Sequence, residues 1–183
     1  MTEDQRHIWE REKRAVGALR DGLGKPVDPP IVETVTILRL LGFTTHSSCG
    51  GHLDRPANPY VAFRSPSNQA DRRLIEEAAT QAEKRRRTNE AIQHNAIELA
   101  RLLPLMERFY ETCDVPQSRQ LIVQGFGVIG YRLTTQSADL VHVVSKDERH
   151  ELVDVQCQEF DAFTEFLKAE FFGTKDDAPS RAA

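Results

Sequence analysis

Apolar side chains recur along the chain in several rhythms, and each rhythm predicts a different element. From Thr2 to Leu23 the positions Ile8, Val16, Leu19 and Leu23 fall near helical spacing among many charges, predicting a surface helix over 2–23 that "GLGKPVDPP" stops. Asp28 is placed to cap a second helix with Pro29 and Pro30 in its first turn; Ile31, Val35, Leu38 and Leu41 share one face until Gly42 ends it. "NPYVAFRSP" reads as a short strand bounded by proline. A long helical segment then starts at Ser67 or Asn68, and its second half carries Ile92, Ala96, Leu99, Leu103, Met106 and Tyr110 in alternating steps of four and three. That seam predicts burial of Ile92, Leu99, Leu103 and Met106, within the chain or against a second copy, so a homodimer through residues 92–110 is one expectation. Pro104 is a candidate kink.

The rhythm changes in the last third. "QLIVQGFGVIGYRLTT" and "DLVHVVS" are rich in branched residues and predict antiparallel strands joined at "QSAD". Phe160, Phe163, Leu167 and Phe171 then line one face of a closing helix, before Gly173 and a polar tail, 174–183, expected to be disordered. The expected fold is a single domain, residues 1–173, of the α/β or α+β class, with a mixed or antiparallel sheet packed against helices that include one long one.

Composition narrows this picture only modestly. With 183 residues, 39% hydrophobic and 28% charged, the chain can build one sizeable core. A net charge of -4 argues against a general nucleic-acid coat, leaving the run Lys84, Arg85, Arg86 and Arg87 as a local candidate for RNA contact. Glu76, Glu77, Glu83 and Glu90 lie close enough to neutralise that run. No apolar stretch approaches the roughly 20 residues of a membrane span, and the first residues are too charged for a signal peptide. Three widely spaced cysteines, Cys49, Cys113 and Cys157, suit reduced thiols and a cytoplasmic protein.

The densest chemistry is Thr44 to Asp54, "TTHSSCGGHLD", where hydroxyls, a thiol, two imidazoles and two glycines stand with no apolar side chain before Leu53. A ligand loop over residues 44–55 is the expectation. Backbone donors around Gly50 and Gly51, the hydroxyls of Thr45, Ser47 and Ser48, and His52, Asp54, Arg55 and Arg64 would cradle an anionic small molecule, a nucleotide or a relative of one. His46, Cys49 and His52 also spell H-x-x-C-x-x-H, a candidate zinc set. Cys49 as nucleophile with His52 as base is a third possibility, and a polar connecting turn a fourth. Gly125, Gly127 and Gly130 form G-x-G-x-x-G, but "YRLTT" follows where a dinucleotide fold needs a helix, so these glycines are expected to be structural.

The order "VDPPIVETVTILRLLGFTTHSSCGGH" resembles the wybutosine-synthesis methyltransferase family that modifies tRNA, in which a similar helix precedes T-T-S-S-C-S-G-R; here His46 is inserted, Gly50 replaces the third serine and His52 the arginine. "SCGGHLDRPANPYV" is closer still to an S-C-x-G-H-x-D pattern of uncharacterised bacterial and phage proteins. The resemblance covers about 40 residues. It implies an α/β fold with the loop at a ligand site, S-adenosylmethionine as a cofactor and a nucleotide-like or tRNA substrate. Ligand recognition by residues 44–55 is therefore the leading functional expectation, with a tRNA-modifying methyltransferase and a helix-mediated interaction protein as its rivals.

Overall fold

In the computed structural model, which describes residues 1–21 and 24–173, five α-helices pack with one four-stranded antiparallel sheet, an α+β arrangement. The helices are α1 (Glu3–Ala18), α2 (Val32–Leu40), α3 (Asn68–Glu76), α4 (Gln81–Glu111) and α5 (Lys146–Gly173). The strands are β1 (Thr44–His52), β2 (Ala57–Arg64), β3 (Leu121–Gly125) and β4 (Tyr131–Thr135), in the order β1-β2-β4-β3. The expected tail 174–183 lies outside the described residues, and no described helix is long and apolar enough to cross a membrane.

Each helix obeys a local rule and then finds its face. Thr2 and Gln5 close a capping box at the start of α1, which buries Trp9 and Val16. The helix ends at Ala18 rather than 23, because Leu19 turns extended and the chain doubles back: Arg20 bridges Pro26, and the Asp21 carboxylate accepts from the Lys25 N–H at 2.8 Å. Pro29–Ile31 form a single 3-10 turn leading into α2, whose buried face includes Val35 and Leu38. Val61, Phe63 and Leu133 of the sheet share the core with Leu102 and Phe109 of α4 and Phe160, Phe163 and Leu167 of α5. Phe109 lies 5.2 Å from Phe163 and 5.5 Å from Phe166, ring centre to centre, in tilted geometry.

Four expectations need correction. The segment 44–55 is mostly strand: β1 runs through His52, pairing Cys49 with Tyr60 and Gly50 with Pro59, and only the turn to β2 is loop. An edge strand is held by backbone pairing on one side and tolerates polar side chains on the other, which is why low hydrophobicity misleads here. The long helical segment is broken after Glu76, and Thr80 caps a fresh start by accepting from the Glu83 N–H at 3.1 Å. "DLVHVVS" is no strand; residues Ala138–His142 form a 3-10 helix, and the hairpin lies wholly within 121–135. The α4 seam holds at Met106, which is buried, but is otherwise shifted by one residue: Ala91, Asn95, Glu98, Leu102 and Phe109 are buried, Leu99 is half-buried, and Ile92 and Leu103 are exposed at 37% and 47%.

The reason for that shift is polar. Asn95 accepts from the Ser65 N–H at 2.9 Å and donates to the Gly127 carbonyl at 3.0 Å, while Asn68 donates to the Val128 carbonyl at 2.6 Å. Together they lash the β3–β4 turn, with its two glycines Gly127 and Gly130, to α3 and α4. Glu98 is buried because Arg101 pairs with it at 2.7 Å while donating to the Leu41 carbonyl.

Candidate functional site

Beside the outer edge of β1 lies a cavity of about 410 Å³, walled by residues of the 19–28 connection, by Val35 and Arg39 of α2, and by β1 itself. Thr45, His46, Ser47, Ser48, Cys49 and His52 all line it, with Arg55 and Tyr60. Two glycines explain how this wall is assembled. A Cβ at Gly50 would sit 2.9 Å from the Asp28 Cβ, so only glycine lets the connection close against the strand there. The Asp28 carboxylate then accepts from the Gly50 N–H at 2.9 Å instead of capping the helix that follows, as its sequence position suggested.

Gly51 has φ +83°, a left-handed conformation that interrupts the pleat. In a regular strand Cys49 and His52, three positions apart, would point to opposite faces. Here their ligand atoms and those of Asp28 all lie within 4.8 Å of one another. The Asp28 carboxylate and the Gly51 amide are the polar groups beside the Cys49 sulfur. Burial, reinforced by the Asp28 charge, holds the Cys49 thiol above its ordinary range, so the residue is a protonated thiol at neutral pH. This disfavours Cys49 as a ready nucleophile. His52 Nε2 lies 3.8 Å from Asp28 Oδ2 and 2.7 Å from the Arg55 guanidinium.

A second feature adjoins the cavity. A register shift between Thr45 and Ser47 leaves His46 on a bulge. Desolvation first, then the guanidinium groups of Arg64, Arg132 and Arg72, push the His46 imidazole below its usual range. Arg132 lies over the Tyr60 ring at 4.2 Å and over the Phe126 ring at 4.9 Å, and the Tyr60 hydroxyl is 3.1 Å from Ser47 Oγ. Arg64, Arg72 and Arg73 line a shallow hollow with Gln69 and Glu76. Among the described residues none of Arg64, Arg72, Arg73 and Arg132 is ion-paired with a carboxylate, and the Arg132 Nε is buried without an acceptor.

The structure therefore divides the expected residues. Cys49 and His52 converge with Asp28, while His46 lines the cavity but stands outside that cluster, on the bulge and in the field of the arginines. Thr45, Ser47 and Ser48 line the cavity with Arg55, whereas Asp54 and Leu53 are exposed on the β1–β2 turn and Arg64 belongs to the arginine face. In the basic run of α4, Arg86 and Arg87 both pair with Glu90, at 2.7 and 3.4 Å. Asp28, Tyr60, Arg72 and Arg132 were not legible as site residues; only the alternation of "YRLTT" hinted that Arg132 faces away from the core. Comparison of the chain with protein-family models, curated proteins and solved structures returns no match.

Proposed function

We propose that the protein binds a phosphate-bearing small molecule of nucleotide type, its anionic group on Arg64, Arg72 and Arg132 and its body in the cavity beside β1. The observation that carries this reading is the set of arginines that crowd His46 without carboxylate partners. Like charges gathered around a histidine destabilise one another, and a doubly charged anion relieves that repulsion while satisfying the guanidinium forks. Arg132 is braced by aromatic rings rather than by an acid, so its donors stay available. His46, Ser47 and Tyr60 join the arginine face to the cavity, which makes one ligand spanning both the economical reading. The resemblance to tRNA-modifying methyltransferases would extend the ligand to RNA or S-adenosylmethionine, and each is an arm of the same test.

Calorimetric titration of nucleoside mono-, di- and triphosphates, a short single-stranded RNA and S-adenosylmethionine decides between them. At least one phosphate-bearing ligand binds, and Arg64→Ala and Arg132→Ala each weaken it by about tenfold or more, the size of a lost charge-assisted hydrogen bond. Binding also tightens as pH falls. Burial first, and then the arginines, depress the free His46 pKa and a bound anion raises it, so protons are taken up on binding across the window between those two values. Absence of binding at low salt, or arginine variants without effect, overturns the reading.

A further inference from the structure

We propose that Asp28, Cys49 and His52 form a site for one zinc-type divalent ion whose remaining coordination position opens into the cavity. The proposal shares the cavity with the anion reading but uses residues other than its arginines, so the two are tested separately. Three observations carry it. A carboxylate, a thiol and an imidazole, the three side-chain types that zinc accepts, arrive from two separated segments with their ligand atoms within 4.8 Å. Metal–ligand bonds of about 2.0–2.3 Å place tetrahedral neighbours about 3.5 Å apart, so closure of roughly 1 Å by side-chain rotation completes the set. All three residues line the cavity, which leaves the open position that distinguishes a reactive or ligand-accepting zinc from a closed structural one.

The second observation is how the cluster is supported. The Gly50 N–H donates to Asp28 Oδ2 at 2.9 Å, so that ligand is already oriented by a backbone donor, and the Gly51 amide lies beside the Cys49 sulfur. These are the same two glycines that the close approach of Asp28 and the reversal before His52 require.

The third is the contact at His52. A guanidinium has no lone pair, so in the 2.7 Å contact with Arg55 the His52 Nε2 must be the acceptor. The lone pair that accepts from Arg55 is the one an ion would take, so metal binding displaces Arg55 from His52. Arg55 is exposed on the turn. A divalent ion would balance the carboxylate and the thiolate it creates, converting a buried thiol beside an acid into a neutral assembly. The ligand set differs from H-x-x-C-x-x-H: Asp28 takes the place of His46, which sits on the bulge and outside the cluster.

Cobalt(II) titration of the chelator-treated full chain, followed by absorption and reversed with zinc, tests the site. One equivalent binds with a thiolate-to-cobalt charge-transfer band that zinc abolishes. Cys49→Ser removes the band, while Asp28→Asn and His52→Ala each weaken cobalt binding by about tenfold or more. His46→Ala, Cys113→Ser and Cys157→Ser keep the band and the stoichiometry. Arg64→Ala keeps the band too, so that loss of nucleotide binding and loss of metal are read separately. Circular dichroism melting of each variant confirms that the fold persists. No thiolate band in the unaltered chain, a band that survives Cys49→Ser, or one lost equally in His46→Ala overturns the proposal.

Discussion

A methyl group at Gly51 would meet the Val153 Cγ1 at 2.7 Å, and it would have to do so at φ +83°. Steric overlap and backbone strain therefore act together at this residue, and they can be separated. Gly51→Ala is expected to lower stability by about 1–3 kcal/mol in denaturant unfolding. Adding Val153→Ala should restore the steric part of the loss, beyond Val153→Ala's own cost, but not the conformational part. If Gly51→Ala is neutral, the reversal that brings His52 beside Cys49 is not a glycine device. Chemistry at the thiols follows the same residue-scale logic. Cys157 donates to the Gly50 carbonyl at 3.4 Å, and burial with nearby Asp161 and Asp154 pushes it up to about 11. Alkylation of Cys49 and Cys157 at pH 7.5 should therefore lag well behind that of a free thiol and speed up only as the medium becomes alkaline. The polar density of Thr44–Asp54 was enough to mark Cys49, His52 and both glycines in the sequence. Asp28 was hidden because nothing local ties it to a strand that begins sixteen residues later. Arg72 and Arg132 were hidden because only the tertiary fold brings α3 and β4 beside the bulge.

Among the elements, α4 shows how a hydrophobic rhythm can name the right helix and the wrong face. Two stripes of the helix compete, and the one that is buried contains Asn95 and Glu98. Burial of these polar groups is tolerable only because Ser65, Gly127 and Arg101 are waiting for them, and partners of that kind leave no trace in spacing. The structure places Leu102 at 0% exposure and Leu103 at 47%. Leu102→Ala should accordingly cost about 2–5 kcal/mol, whereas Leu103→Ala should stay below about 1 kcal/mol. Equal losses at the two positions would mean that the outward stripe of Ile92, Leu99 and Leu103 is covered in solution by a second molecule, the dimer that the seam suggested. The mistaken strand "DLVHVVS" has a similar origin. Its β-branched residues favour extended backbone, but Val141 is buried in a helical turn whose carbonyl accepts from Arg149 at 3.0 Å.

Across the whole molecule, Glu33 of α2 joins three helices, with the Lys13 ammonium of α1 and the Lys168 ammonium of α5 each 2.5 Å from its carboxylate. Its own partial burial opposes ionisation, but the two lysines outweigh that cost and hold its pKa below the usual glutamate range. A carboxylate depressed in the folded state adds stability above its unfolded pKa and loses it as pH falls through the folded value. Glu33→Gln should thus cost no more than about 1 kcal/mol near neutrality, the group being half-exposed, and the difference from the parent should vanish in acid below the glutamate range. The overall class, one sheet with helices including a long one, was readable from periodicity; the sheet order was not, since pairing between distant strands has no local signature. That pairing has a kinetic meaning. β1–β2 and β3–β4 are hairpins that can close in about 1–10 μs on their own, but β2 meets β4 through only three residue pairs, of which Val61 and Leu133 are 72 positions apart. The junction closes a far longer loop than either hairpin, so it is the slower of the pairings to form. Arg132 reaches Tyr60 only across that junction, so until β2 and β4 pair the arginine face is in two pieces.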